Sequence, residues 1–296
     1  MTNKPDRNLG VELVRATEAA AIKASAWIGR GDKNAADGAA VEAMRDFLNT
    51  VDFRGTVVIG EGEKDEAPML ANGEVVGNGN GPECDIAVDP VDGTSVTASG
   101  RAHAISVIAV ADKGTMYNPK DVFYMDKLIT RIEGKGVVSL DASAEENVRE
   151  LAKALKKDVS EITVAMIDRP RHVELQNAVR RAGARTRLFL DGDVAAGIHA
   201  VTGGGNIDML LGIGGAPEGA ISACATQALD GYMQGRISPL SPEEMKKAIA
   251  AGHDLERIFE INDLVASDNT YFVATGVTDG LLLDGVQKRG DYLRTD

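Results

Sequence analysis

The segment Cys84–Thr94 constrains the fold most, because it predicts a short strand that ends in two carboxylates. Its apolar residues alternate as in a strand, and Pro90, which donates no ladder hydrogen bond, is expected to end it. Asp89 and Asp92 then enter one turn, where extended backbone presents the oxygen ligands that hard divalent cations bind. These residues are also common turn formers, so the segment alone leaves an ordinary turn open.

Gly93 and Thr94 follow the second carboxylate. Gly93 permits a ligand to approach the backbone closely, and the amide groups after it could face a phosphate. The hydroxyl of Thr94, placed beside bound metals, could orient or deprotonate an attacking water. The turn is therefore a candidate for phosphate chemistry.

Composition limits the partners of this chain. Its 296 residues are 44% hydrophobic and 26% charged, enough for one large domain or two smaller ones. The net charge of -13 argues against a nucleic-acid partner, and an anionic substrate would need bound metals or a local basic patch. The two cysteines lack metal-binding spacing, the N-terminal segment is polar, and no apolar run is long enough to cross a bilayer. These features predict a cytoplasmic protein without a membrane partner.

Other segments also place an acid where an element begins or ends. Glu61 follows a β-branched strand and lies between two glycines. Asp37 falls early in a helix that Asp32 is expected to cap, and Glu218 follows Pro217 at the start of another helix. Each has a local alternative: a hairpin tip for Glu61, and a helix-dipole partner for Asp37 and Glu218.

From Ile162 onward the pattern alternates between strands and helices, which predicts a second α/β layer. The first of these strands leads into Arg169 and Arg171, whose fork-shaped donors suit phosphate oxygens. The next leads into the turn Asp191–Asp193, which could bind sugar hydroxyls or cap the following helix. Earlier, Phe123–Ile132 and Lys135–Leu140 predict a pair of strands.

The acidic residues indicate a specific chemistry when they are considered as one set. If they meet in one pocket, each like-charged pair at ~4 Å costs about 4 kcal/mol at an effective dielectric of ~20. Such a cluster needs two or three divalent cations or must titrate, and all-oxygen ligands favour Mg²⁺ or Mn²⁺ over zinc. Paired metals suit displacement at phosphorus. With the arginine pair, this predicts a phosphate monoesterase whose substrate carries a second phosphate.

The ordered motifs GDKNAADGAA, GEGEKDEAPM, DPVDGT, DRPRH, DGDVA and GIGGAPEG resemble class II fructose-1,6-bisphosphatase. This family belongs to the metal-dependent, lithium-sensitive sugar-phosphatase superfamily, which also contains inositol monophosphatases. The resemblance implies a layered α/β/α/β/α fold with two sheets sandwiched between helices. It also implies Mg²⁺- or Mn²⁺-dependent hydrolysis of the 1-phosphate of fructose 1,6-bisphosphate, a step of gluconeogenesis.

Matched motif by motif, the resemblance implies roles for individual residues. Thr94, with help from Glu61, would activate the water. The implied metal ligands are Asp37 with Glu61, Asp89 with Glu218, and Asp92. The implied substrate-binding residues are Asp92, Gly93, Thr94, Tyr124, Arg169, Pro170, Arg171, Asp191, Gly192, Asp193 and Gly215.

The resemblance also sets expectations for organisation. Residues 1–160 would form a metal-binding half and residues 161–296 a sugar-phosphate-binding half of one catalytic unit, assembled into a dimer or tetramer. Two departures stand out: Arg169 replaces a lysine found in many members, and Asp296 ends the chain before an expected terminal strand pair. The alternatives are a bifunctional fructose/sedoheptulose bisphosphatase, an inositol-phosphate enzyme, and a non-catalytic sugar-phosphate sensor.

Overall fold

The computed structural model describes residues 9–60, 70–120, 122–203 and 206–296. The chain divides into two compact units, Met1–Gly114 with Tyr271–Asp296, and Thr115–Thr270. These bounds differ from residues 1–160 and 161–296, because a strand starting at Tyr124 joins the later sheet and a strand starting at Tyr271 returns to the earlier one. The assignment of metal to one half and sugar phosphate to the other stays a prediction.

The described residues form a mixed α/β fold with two main sheets, which confirms the predicted class. The helices are α1 (Leu9–Ser25), α2 (Lys33–Leu48), α3 (Thr94–Ala98), α4 (Ala144–Leu155), α5 (Val173–Arg181), α6 (Val194–Thr202), α7 (Ala216–Ala228), α8 (Pro242–Ala250) and α9 (Ile261–Leu264). The strands are β1 (Arg54–Ile59), β2 (Val75–Val76), β3 (Glu83–Asp92), β4 (Ile105–Asp112), β5 (Tyr124–Arg131), β6 (Thr163–Ile167), β7 (Arg185–Phe189), β8 (Met209–Gly215), β9 (Gly231–Ile237), β10 (Phe259–Glu260), β11 (Tyr271–Gly276), β12 (Gln287–Arg289) and β13 (Tyr292–Arg294). No helix among the described residues has the length and apolar character that crossing a membrane requires.

The first unit is built on a five-stranded sheet in the order β11–β4–β3–β1–β2. Strand β1 runs parallel to β3, and the other neighbours are antiparallel. Helix α1 contacts α2 and also strands β3, β4 and β11. Its buried stripe includes Ala16, Ala20 and Ala24, whose small side chains let neighbouring backbones approach closely. Aliphatic and alanine packing thus supports the central strand β3.

Strand β3 corrects one prediction, because Pro90 does not end it. The strand continues to Asp92, and its register with β4 shifts between Asp89 and Asp92. Pairing with β1 on the other side ends at Ala87. Proline is tolerated at such an irregularity because the shifted ladder does not need its missing N–H group.

The second unit is built on a six-stranded sheet in the order β10–β9–β5–β8–β6–β7. Strand β6 runs parallel to β7 and β8, whereas β5 runs antiparallel to β8 and β9. The carboxyl ends of β6, β7 and β8 therefore lie at the same edge as the amino end of β5. Tyr124, the first residue of β5, pairs directly with Gly215, the last residue of β8.

The predicted strand Lys135–Leu140 is wrong. A 3-10 turn, Ile132–Gly134, follows β5, and no strand covers the next residues of this described stretch. Side chains form hydrogen bonds with the backbone groups that a strand ladder would use. Asn147 bonds both the N–H (2.9 Å) and the C=O (2.8 Å) of Ser139, and Leu140 N donates to Gln234 Oε1 at 2.9 Å.

The C-terminal residues form a small hairpin of β12 and β13, which is a sheet of its own. The carbonyl of Asp296 accepts a hydrogen bond from Gly276 N at 3.1 Å, and its side chain accepts one from Asp284 N at 2.9 Å. These bonds attach the last residue to the end of β11 and to the segment that follows it.

Asp32 caps helix α2 as predicted, since its side chain accepts a hydrogen bond from Ala35 N at 2.9 Å. We expect Asp32→Ala to lower the free energy of unfolding by about 1 kcal/mol, because it removes an acceptor for an otherwise unpaired helical N–H group. Asp32→Ser, which keeps a capping oxygen, should retain most of the stability. Urea unfolding of the three proteins measures the effect, and equal midpoints for alanine and wild type would contradict it.

Candidate active site

The end of β3 and the turn that follows it carry four of the predicted site residues of the first unit. Asp89 and Asp92 are 9% and 4% exposed, and Asp89 Oδ1 accepts a hydrogen bond from Val91 N at 3.0 Å. Gly93 follows with φ 97°, a conformation that side chains other than glycine rarely adopt. This backbone starts helix α3 at Thr94, which is half-buried. The end of β3 and the start of α3 thus combine two buried carboxylates with a hydroxyl.

Asp37 lies in α2 and is 7% exposed. Its helix contacts both β3 and α3, the elements that carry the acidic turn. Lys33, in the first turn of α2, donates to Ser95 Oγ at 2.7 Å, and Gly31 N donates to Ala98 O at 2.8 Å. These bonds fix the start of α2 against α3.

Glu61, the remaining candidate of this unit, lies outside the described residues. Within the described ranges, no group of three or more His, Cys, Asp or Glu side chains is placed to hold a metal ion. The convergence of all the predicted metal ligands therefore stays a prediction.

Glu218 lies in the first turn of α7, with Pro217 beside it at the helix start as predicted. Its Oε2 atom is buried and has no hydrogen-bond partner among the described residues. Burial raises the pKa of Glu218, the charge of Lys127 opposes this shift, and Asp193 adds to it. A buried, partnerless carboxylate oxygen fits a cation ligand, because a bound cation would satisfy it.

Gly215 makes room for this carboxylate. A side-chain carbon at Gly215 would overlap the carboxyl group of Glu218, although the backbone there has an ordinary φ of -65°. This position therefore requires a residue without a side chain, although its backbone geometry is ordinary.

Asp193 forms a buried ion pair with Lys127, a residue that the sequence analysis did not single out. Lys127 is 0% exposed, and its Nζ lies 2.5 Å from Asp193 Oδ2 and donates to Gly215 O at 3.1 Å. Asp193 is 4% exposed, and its Oδ1 has no hydrogen-bond partner in the described part of the chain. Its side chain makes no cap bond to α6, so the capping alternative for Asp193 is wrong.

Arg171 and Arg169 lie in the loop after β6. The guanidinium of Arg171 lies 5.4 Å from the ring centre of Tyr124 and donates through Nε (3.2 Å) and Nη2 (2.8 Å) to Ile213 O. Burial lowers the pKa of Arg171, and the Arg169 charge adds to this effect. Arg169 Nη1 donates to Leu190 O at 2.6 Å. The two arginines thus connect the loop after β6 to the ends of β8 and β7.

Two residues with special backbone properties complete these turns. Pro170 begins the 3-10 turn that contains Arg171. Gly192, with φ +74°, allows the chain to reverse between Asp191 and Asp193. Asp191 Oδ1 lies 3.5 Å from Arg169 Nη2, which brings this turn against the arginine loop.

His172 joins the loop to the sheet. Its Nε2 accepts a hydrogen bond from Ile213 N at 2.8 Å, so Nδ1 carries the proton and donates to Ile167 O at 2.7 Å. The side chain is buried, and burial lowers its pKa below the usual 6.5. Neutral His172 therefore fixes the residue after Arg171 to both β6 and β8.

The structure thus gathers the site residues predicted for the second unit at one edge of the six-stranded sheet. This is where the ends of parallel strands commonly form binding sites. The residues at this edge are Tyr124, Arg169, Pro170, Arg171, Asp191, Gly192, Asp193, Gly215 and Glu218. Sequence reasoning missed Lys127 and the bridging role of His172. The available signal for Lys127 was a lone lysine inside an apolar strand pattern, which does not identify its partner.

The family described as "Bacterial fructose-1,6-bisphosphatase, glpX-encoded" matches residues 7–296. Three curated relatives are fructose-1,6-bisphosphatase 1 class 2 of Escherichia coli strain K12 and the fructose-1,6-bisphosphatases class 2 of E. coli O6:H1 strain CFT073 and Shigella flexneri. Each is 45% identical over an aligned length of 303 residues, covering 98% of this chain and 90% of the relative. An extragenic suppressor structure from Pyrococcus furiosus is 15% identical, covers 66% of this chain and 69% of its own, and has a TM-score of 0.33, too low to support an inference.

The family match and the curated relatives show that this chain is a phosphatase, a class that the buried acids and the arginine loop suit. The chain belongs to the bacterial fructose-1,6-bisphosphatase family. The predicted membership in class II is confirmed, as is the prediction of an enzyme from a metal-dependent phosphatase family.

The bridging histidine generates a pH prediction. Because the pKa of folded His172 lies below the unfolded value of about 6.5, the unfolded chain binds the proton more readily, and this bridge loses stability as pH falls below that value. At pH 7.5 we expect His172→Gln to lower the free energy of unfolding by about 1–3 kcal/mol. The deficit should shrink toward pH 5, as measured by urea unfolding, and a pH-independent deficit would rule out this titration.

Proposed function

We propose that this chain hydrolyses the 1-phosphate of fructose 1,6-bisphosphate to fructose 6-phosphate and inorganic phosphate, within gluconeogenesis. The observation that carries the proposal is the family match over residues 7–296, which includes every motif of the candidate site. The named activity of the relatives, fructose-1,6-bisphosphatase class 2, supports the same substrate.

The cofactor would be Mg²⁺ or Mn²⁺. Asp37 and Glu61 would bind one cation, Asp89 and Glu218 a second, and Asp92 would contact metal or substrate. The donor set is entirely carboxylate oxygen, which suits these hard cations, and the partnerless Oε2 of Glu218 supports a ligand role. When bound, such a cation lowers the pKa of water and offsets charge on the transferring phosphoryl group.

Thr94 and Glu61 would prepare the attacking water. The hydroxyl of Thr94 can accept a proton from water and pass its own to a nearby base, and Glu61 is the base that the resemblance implies. Gly93 gives the turn its left-handed backbone, so the 1-phosphate can approach the main chain at Gly93 and Thr94. Asp92, at the end of β3, would help to orient the same group.

The second unit would bind the rest of the substrate. Arg169 and Arg171 carry positive charge in a chain of net charge -13 and suit the phosphate that is retained. Tyr124, stacked on Arg171, and Pro170 would limit the guanidinium's freedom. Sugar hydroxyls would contact the turn at Asp191, Gly192 and Asp193 and the backbone at Gly215. A second phosphate recognised by arginine favours a sugar bisphosphate over an inositol monophosphate.

We also propose a cytoplasmic location and a homo-oligomeric state, either a dimer or a tetramer. In support of a reducing compartment, Cys84 and Cys224 are both free and buried. Burial raises the pKa of the Cys224 thiol to about 12, so this group stays protonated and unreactive. Light scattering of the purified chain measures the oligomeric state.

Phosphate release from fructose 1,6-bisphosphate tests the proposal directly. We expect activity with Mg²⁺ or Mn²⁺ that a chelator abolishes and that fresh cation restores. Parallel assays with sedoheptulose 1,7-bisphosphate and inositol monophosphate distinguish the bifunctional and inositol-phosphate alternatives. Binding of fructose 1,6-bisphosphate without release of phosphate would instead support a sugar-phosphate sensor.

Asp89 provides a sharper test of the metal-binding role. Asp89→Asn should lower metal-dependent turnover by about 100-fold or more, because it removes a negative oxygen from the proposed cation site. Asp46→Asn, the same chemical change on the exposed face of α2, serves as the matched control and should leave turnover unchanged. Circular dichroism checks that both variants fold. Full activity of folded Asp89→Asn would count against the assignment.

Thr94→Ala tests water activation. The variant should lower kcat by about 100-fold or more while KM changes little, because the hydroxyl would act on the reacting water and not on the bound sugar. Thr94→Ser keeps the hydroxyl and should recover most of the turnover. Steady-state kinetics measure both constants, and an effect confined to KM would remove Thr94 from this role.

A further inference from the structure

Lys127 is a buried cation that has no role in the proposed reaction as described above. It lies in the middle of β5, the central strand of the second unit, and is 0% exposed. Its cross-strand neighbours are Gly212 on β8 and Gly235 on β9. A lysine is almost never withdrawn from water completely unless its charge has a partner, so its surroundings should explain its presence.

Gly214 leaves space for the end of this side chain. A side-chain carbon at Gly214 would lie 2.9 Å from Lys127 Nζ and would overlap the carboxylate of Asp193. The motif GIGGAPEG does not match a dinucleotide fingerprint, and its glycines here border a lysine, an aspartate and a glutamate.

The ammonium group holds two parts of the candidate site. It pairs with Asp193 Oδ2 at 2.5 Å and donates to the carbonyl of Gly215 at 3.1 Å. These bonds fix the turn before α6 and the peptide that precedes α7. They also leave Asp193 Oδ1, buried and without a hydrogen-bond partner in the described residues, as an acceptor for a ligand.

We propose that Lys127 is a positioning residue, which holds Asp193 and the Gly215 carbonyl in the arrangement that binds the hydroxyl groups of the sugar. This inference rests on the proposed function, since it assigns the sugar contacts of that same site. Lys127 is fully buried and would not touch the substrate itself. Its effect would therefore pass through Asp193 and the Gly215 carbonyl and would be measured in substrate binding.

Lys127→Met tests this role with an unbranched, uncharged side chain. We expect KM for fructose 1,6-bisphosphate to rise about tenfold or more, the cost of losing a hydrogen bond that involves a charged group, while kcat falls less. Lys157→Met is the matched control. Lys157 Nζ pairs with buried Asp208 at 2.6 Å in the same unit, but no proposed sugar contact is involved. This control should lower stability and leave KM unchanged.

A double-mutant cycle separates positioning from mere structural support. Asp193→Asn alone should raise KM, and adding Lys127→Met to it should raise KM by a smaller factor than Lys127→Met does in the wild type, because the contact between the two side chains is already lost. Equal factors in the two backgrounds would overturn the inference. If Lys127→Met alone does not fold, the double variant, which also removes the charge of Asp193, still provides a comparison with Asp193→Asn.

The outcomes of these experiments distinguish a failure of the proposed function from a failure of the positioning role. An inactive wild-type chain would overturn the proposed function, and with it this inference. An active wild type with unchanged KM in folded Lys127→Met would overturn the positioning role alone. An equal rise in KM for Lys127→Met and for its control Lys157→Met would show general loosening of the unit and would also overturn it.

Discussion

Buried negative charge is the constraint on which the rest of this structure depends. Four of the predicted site carboxylates are between 4% and 9% exposed. They are Asp37, Asp89, Asp92 and Asp193. A carboxylate removed from water needs a cation or several hydrogen bonds, or else its pKa rises until it is neutral, as the direction for Glu218 illustrates. Lys127 meets this need for Asp193 from within the chain. The proposed divalent cations would add to the interactions that Asp37, Asp89 and Asp92 make within the chain, so that cofactor binding would also stabilise the site.

Strand geometry determines which side chains lie close enough together to form one binding site. In the second unit, the antiparallel placement of β5 beside β8 brings Tyr124 to Gly215, and the parallel strands β6 and β7 end at the same edge. The loop after β6 is held to β8 through the backbone of Ile213, whose C=O accepts a hydrogen bond from Arg171 and whose N–H donates one to His172. Rigid strand ends thus fix side chains that loops alone would leave free. Glycines at this edge allow charged groups to pack where any side-chain carbon would overlap them.

Sequence motifs gave correct predictions where the interactions join residues that are close in the chain. Asp32 caps α2 as predicted, because this motif closes within three residues. Predictions failed where distant partners override local preference. Pro90 stays within β3 because the shifted register with β4 does not need its N–H group, and Lys135–Leu140 forms no strand because side chains from later elements take its backbone bonds.

By itself, the sequence determined the α/β class, the family and the positions of acids and arginines at strand ends, since periodicity, caps and motif order are properties of neighbouring residues. Only the tertiary structure decided that Lys127 pairs with Asp193 and that His172 bridges Ile167 and Ile213. Such pairs join residues far apart in the chain, and the register of β5, β6 and β8 sets which of them meet. A lone lysine in an apolar strand does not specify its counter-ion until the sheet is assembled.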